Sequence, residues 1–196
     1  MPSAVDVSSV VGLIAVGIFT AQILLGLLLS TGYNPLRQWP RRPLKLFTFH
    51  NWLGYIGLAT AATHALILLT VPSKDGGRAF RVFDLLFPVW SPVQPLTNTL
   101  GAMAFYLVSF VVLTSYFRRV FAHHTWKTLH YTAYAAAGVF YVHGLLSDPL
   151  LQNRPVDWID AEKVYVEGCA LLIALATTLR VRWRAGVRRQ LRRQPL

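Results

Sequence analysis

Polar and apolar positions divide this chain into five long apolar runs joined by polar loops. The runs cover about Val10 to Leu29, Leu46 to Val71, Leu96 to Phe117, Thr128 to Leu146 and Val164 to Leu179. The first four contain no Lys, Arg, Asp or Glu, and the fifth contains only Glu167. Runs near twenty residues match the thickness of a bilayer core when coiled as helices. The fourth is somewhat shorter, and the fifth is just long enough and extends back toward Trp158. The first is read as a retained helix rather than a signal peptide: no basic residues precede it, it is too long, and no small-x-small cleavage site follows. The pattern predicts an all-α fold, an integral membrane bundle of about five transmembrane helices.

The longest loop, about Pro72 to Pro95, holds the segment Ala79 to Phe87, too apolar for a free loop and too short to span. It is expected to lie on the membrane surface, ended by Pro88 and anchored by Trp90. No internal sequence repeat or low-complexity tract stands out. The whole chain, 1–196, is expected to form one domain, with a core at about 46–146 and a basic tail at 180–196.

Composition agrees, with 54% hydrophobic and 14% charged residues and a mean hydropathy of +0.44. A net charge of +11 would suggest nucleic acid in a soluble protein. Here its distribution argues for topology instead. The segments after runs one, three and five hold fourteen basic residues and no acid: Arg37, Arg41, Arg42, Lys45, Arg118, Arg119, Lys127, Arg180, Arg182, Arg184, Arg188, Arg189, Arg192 and Arg193. The other side holds Lys74, Arg78, Arg81, Arg154 and Lys163, with all eight acids. Positive-inside bias places the amino terminus outside and the carboxy terminus in the cytoplasm. The lone Cys169 leaves no disulfide framework and reads as a small buried residue.

Four histidines lie inside the apolar runs: His50 and His64 in the second, His130 and His143 in the fourth, 14 and 13 residues apart. Ionisable or metal-ligating side chains at bilayer depth cost free energy and point to function. Each spacing separates two imidazoles by roughly 20 Å along a helix. Both runs start from the same side, so His50 and His130 share the inner depth, and His64 and His143 the outer. Two such helices can hold two stacked haems, each iron between two imidazoles. Covalent attachment is excluded because no C-x-x-C-H is present. One point is imperfect: 13 residues turn a straight helix by about −140°, so the fourth helix must be tilted, kinked or overwound, with Gly138 as the candidate position.

Other residues carry weaker signals. His123 and His124, in a basic loop, read as solvated or facing headgroups. Gly54 and Gly57 share a face with His50, and Gly144 follows His143; they suit either a flat macrocycle or plain helix packing. Trp52, Tyr55, Tyr134, Phe140 and Tyr141 read as packing or belt aromatics, with lining of a haem as the alternative. Arg41, Arg42, Lys45 and Lys127 suit anionic lipid, or else propionates. Glu167 is expected to reach the interface.

Phe49-His50-Asn51-Trp52-Leu53-Gly54 followed by His64, and Trp126-Lys127-Thr128-Leu129-His130 followed by Tyr134 and His143, resemble the two ligand helices of the ferric reductase-like transmembrane domains. That superfamily includes the membrane parts of NADPH oxidases and ferric reductases and the haem subunit of bacterial methionine sulfoxide reductase systems. The resemblance covers about Leu46 to Leu146. It implies two non-covalent haem b groups, with His50 and His130 on the inner iron, His64 and His143 on the outer, and electrons moving from a cytoplasmic-side donor to an outer-side acceptor. Two departures stand out. No flavin- and nicotinamide-binding domain like that of oxidases and ferric reductases is expected in this chain, and the methionine sulfoxide reductase subunit does not usually keep a histidine at the position of His50.

The expected function is therefore transmembrane electron transfer by an oxidoreductase component of the cytochrome b type in a bacterial inner membrane. No catalytic side chain is assigned. The expected partners are membrane lipid, a cytoplasmic-side reductase or other donor and an outer acceptor, with no nucleic acid. The alternatives are a quinol-oxidising cytochrome similar to the b561 group and a non-redox scaffold or proton-conducting protein.

Overall fold

A computed structural model describes residues 3–32, 45–73, 78–147 and 157–193, with side chains described as far as 186. Seven α-helices follow in order: α1 (Ala4–Leu29), α2 (Leu46–Ile67), α3 (Val82–Leu86), α4 (Pro95–Tyr116), α5 (His123–His130), α6 (Thr132–Leu146) and α7 (Ala161–Arg193). No strand occurs among the described residues, as the apolar runs predict.

Helix boundaries follow local chemistry. α1 begins six residues earlier than its apolar run because Ser3 and Asp6 close a capping box. Asp6 N–H donates to Ser3 Oγ over 3.2 Å, and Ser3 N–H to the Asp6 carboxylate over 2.8 Å, satisfying two free donors of the first turn. α4 begins with Pro95 in its first turn, where the missing N–H has no intrahelical partner to lose. α7 is longer than its apolar run and continues through the arginine-rich tail. Arginine is a good helix former, and Arg180 ties this part down. Its Nε donates to Ser30 Oγ over 2.7 Å and its guanidinium also donates to Ser30 O, placing a cation on the carbonyl end of α1.

Four helices are long and apolar enough to cross a membrane: Ala4–Leu29, Leu46–Thr70, Pro95–Tyr116 and Ala161–Gly186. The fourth expected helix is divided at Tyr131 into α5 and α6. Tyr131 N–H is shared between Lys127 O and Thr128 O, both at 3.2 Å, and Tyr134 N–H reaches back only three residues to Tyr131 O. This tightened turn is the local overwinding that the 13-residue spacing requires. It falls at Tyr131, not at Gly138, through which α6 runs unbroken. Together α5 and α6 rise by about 35 Å, enough for a core of about 30 Å.

α1 packs on α2, α4 on α6, and α7 on both α1 and α6. Gly12 faces His64 and Gly26 faces His50, so α1 and α2 are antiparallel. Val16, Ala137, Tyr141, Val166 and Ile173 form the core between α1, α6 and α7. Outward positions are apolar as well: Phe49, Leu66, Leu113 and Leu171 are 59%, 56%, 56% and 70% exposed. Faces of this kind need hydrocarbon around them.

The segment at 79–87 contains the five-residue α3, followed by a 3-10 turn at Pro88–Trp90. Val82, Phe83, Phe87 and Trp90 are exposed, whereas Phe80 packs with Val5 and Val71. The segment is pinned by Tyr106 OH donating to Leu86 O over 2.5 Å and by the Asp84 carboxylate, 3% exposed, which receives Arg78.

Candidate functional site

The four histidines meet in two pairs inside the bundle. His50 and His130 have ring centres 6.3 Å apart, at the end carrying Lys45, Arg118, Lys127 and Arg180. His64 and His143 also lie 6.3 Å apart, nearer the opposite end. The first pair is called the basic-end pair and the second the far-end pair. α2 runs parallel to α5–α6, so equal depth follows from the spacing, and the turn at Tyr131 restores the facing of the second helix.

Hydrogen bonds orient the far-end rings. His64 Nδ1 lies 2.8 Å from Ser8 O, and Ser8 Oγ donates to His64 O over 3.0 Å. His143 Nδ1 lies 2.9 Å from Thr97 O. A carbonyl only accepts, so each Nδ1 carries the proton and each Nε2 keeps a free lone pair. At the basic end, His130 Nδ1 is 3.1 Å from Ser115 Oγ and its ring stacks on Trp126 at 5.3 Å. His50 differs. Its Nε2 is 3.4 Å from the Gln22 amide nitrogen, while its own Nδ1 and Gln22 Oε1 are buried without partners among the described residues. Turning the Gln22 amide places its oxygen beside Nε2 as an acceptor and leaves Nδ1 free.

Two metal–imidazole bonds of about 2.0 Å, with roughly 1.1 Å from each nitrogen to its ring centre, separate coaxial rings by about 6.2 Å. Both pairs match this distance. No group of three or more His, Cys, Asp or Glu that could hold a metal occurs among the described residues. A metal between either pair would therefore need equatorial ligands from elsewhere, which is what a macrocycle supplies.

Each pair borders a cavity. The one at the basic end is about 480 Å³ and is lined by His50, His130, Gln22, Gly26, Tyr55, Trp126, Tyr134 and Phe140, with Arg118, His123, Lys127 and Arg184. The far-end one is about 170 Å³ and is lined by His64, His143, Ser8, Gly12, Asn98, Glu162 and Lys163. Phe19, Val108 and Phe140 line both, and the two phenylalanines meet edge to face at 5.6 Å. A thin apolar wall separates the two sites.

The other sequence candidates sort by position. Lys127, Tyr55 and Tyr134 border the basic-end cavity, and so does His123, which is also exposed. His124 is exposed. Trp52 is 60% exposed and faces outward. Tyr141 is in the core, sharing a 2.8 Å hydrogen bond with Thr20. Gly54 borders the basic-end cavity. Gly57 packs against Phe19, and Gly144 packs on Val166 while bordering the far-end cavity. Cys169 and Glu167 are half-buried. Arg37, Arg41, Arg42, Lys74 and Arg154 lie outside the described residues. Sequence reasoning missed Ser8, Gly12, Gln22, Gly26, Thr97, Gly101, Ser115 and Lys163. The signal for the glycines was present, since Gly12 and Gly26 repeat the 14-residue spacing of His50 and His64.

No curated protein and no solved structure matched the chain. The sequence model of the family described as "Ferric reductase like transmembrane component" matches residues 11–141, which include most of α1 and His50, His64 and His130, with His143 two residues beyond the match. The chain is an integral membrane protein and belongs to the ferric reductase-like transmembrane family.

Proposed function

We propose that this protein carries electrons across a membrane through two haem b groups, one between His50 and His130 and one between His64 and His143. The observation that carries this reading is the pair of facing imidazoles at 6.3 Å, with the far-end rings fixed by backbone carbonyls so that Nε2 is free. A bound haem supplies one-electron chemistry at its iron. The chain's own residues orient the imidazoles, exclude water and set the distance between sites. Membership in the family supports membrane electron transfer as the general activity. The basic end faces the cytoplasm on the charge argument. Electrons enter there from a soluble reductase and leave at the far end to an external acceptor, in a bacterial inner membrane.

The decisive experiment is a pyridine haemochrome assay with a visible spectrum on purified protein. Two low-spin b-type haems per chain are expected, and one or none sinks the proposal. Quinol oxidation at the basic end is a second reading. It is favoured by the larger size of that cavity and by the buried Trp126 Nε1 there, which has no partner among the described residues.

A further inference from the structure

α1 and α4 carry the same device. On α1, Gly12 faces His64 and Gly26 faces His50; on α4, Gly101 faces His143, and Ser115 meets His130. Both spacings are 14 residues, close to four turns, so each pair lies on one helix face. One turn before three of these positions stands the group that bonds the ring. It is the carbonyl of Ser8 for His64, the carbonyl of Thr97 for His143 and the side chain of Gln22 for His50. The hairpin α4–α5–α6 thus repeats the hairpin α1–α2, and each contributes one imidazole to each site.

The fourth position breaks the repeat. The equivalent acceptor would be Val111 O, one turn before Ser115. That carbonyl already accepts from Thr114 Oγ1 over 3.1 Å. His130 Nδ1 meets the Ser115 hydroxyl at 3.1 Å instead. We propose that Ser115 is the positioning residue of His130, its side chain replacing the main-chain acceptor that holds the far-end rings. This inference rests on reading the paired histidines as axial ligands of haem. An acceptor on Nδ1–H makes Nε2 a stronger donor to a metal, which favours oxidised iron. The far-end pair has both rings on carbonyls and the basic-end pair has neither. At the basic-end site the ring partners are therefore side chains, Gln22 for His50 and Ser115 for His130.

The test uses the full chain with Ser115→Ala and Ser115→Thr. In the haem-loaded protein, redox titration should show Ser115→Ala raising one of the two midpoint potentials and leaving the other in place. Ser115→Thr, which keeps a hydroxyl, should restore it. Loss of the basic-end haem in Ser115→Ala but not in Ser115→Thr also supports the proposal. Unmoved potentials, equal movement of both, or identical defects in the two variants would overturn it. A second readout needs no haem: nitrogen NMR of labelled histidine in the apoprotein. His130 should be protonated at Nδ1 in the wild type and in Ser115→Thr, and should lose this preference in Ser115→Ala. A wild-type His130 protonated at Nε2 overturns the proposal whether or not haem binds. Failure of haem binding with the NMR pattern intact would count against the dihaem reading alone.

Discussion

A Cβ atom on Gly101 would sit 2.8 Å from Cε1 of His143 and 3.1 Å from both ring nitrogens. No imidazole tolerates that approach, so glycine at 101 is a condition for the position of His143. Alanine favours a helix interior by about 1 kcal/mol over glycine, so Gly101→Ala should not weaken α4 itself. The expected outcome is a folded protein that has lost or loosened the far-end haem while keeping the basic-end one. Haem content with melting temperature checks this. A variant with both haems and an unchanged spectrum would show that His143 is not held where the structure places it.

Removal of the ligands should divide by depth. His64→Ala and His143→Ala should each abolish the same redox centre, leaving roughly half the haem, because the two rings flank one site. His50→Ala and His130→Ala should abolish the other. Potentiometric titration of the four variants makes the comparison. Loss of a common centre in His50 and His143 variants would contradict the parallel arrangement of α2 and α5–α6.

The helices and the meeting of the histidines were legible because hydrophobic length and a 14-residue period survive in the sequence alone. The site's walls were not. Gly26 and Gly101 matter through contact with rings on another helix, and such contacts leave no local pattern. Ser8 and Thr97 act through main-chain carbonyls, which every residue has, so their identity says nothing about the hydrogen bonds to His64 and His143. The break at Tyr131 was foreseeable in kind, because 13 residues do not bring two rings to one face of a straight helix. Its place was not, since Gly138 is the weaker helix former, yet its site in α6 is open and unstrained. Ser3 and Asp6 did announce the true start of α1, at a spacing the apolar run concealed.

The surface segment should respond to acid through Asp84. Arg78 donates to both its carboxylate oxygens, at 2.5 and 2.7 Å, and Arg81 N–H adds a third bond at 2.8 Å. Hydrogen bonding from Arg78 holds the Asp84 carboxyl below its ordinary value of 3.8. A group with a depressed folded pKa stabilises the fold above its unfolded pKa, and that contribution is lost as pH falls through the folded value. Wild-type stability should therefore fall in the range below about pH 4, on top of any general acid effect. Asp84→Asn should be less stable by a few degrees at neutral pH and should lose less on acidification. Thermal unfolding across that range tests the difference, and parallel curves for the two proteins would rule out the clamp.

The basic end should govern how electrons arrive. Arg118 lies over the Phe47 ring at 4.3 Å and borders the cavity of His50 and His130, with Lys127 and Arg184 nearby. Arg119 is exposed beside it. Such a field attracts an acidic flavoprotein or ferredoxin by long-range electrostatics. It also attracts anionic lipid, which remains the simpler role for the arginines of α7. The two roles part at the loop between α4 and α5, next to the ring pair where an electron must arrive. Screening shortens these interactions to about 10 Å at 0.1 M salt. Reduction of the basic-end haem by an acidic soluble donor should therefore slow steeply as ionic strength rises. Joint replacement of Arg118 and Arg119 by glutamine should slow it at low salt and flatten the salt dependence, with haem content unchanged. Stopped-flow absorbance at several salt concentrations provides the measurement. A rate indifferent to both salt and these arginines, alongside rapid reduction by quinol, would instead assign the larger cavity, with Trp126 in its wall, to a quinol.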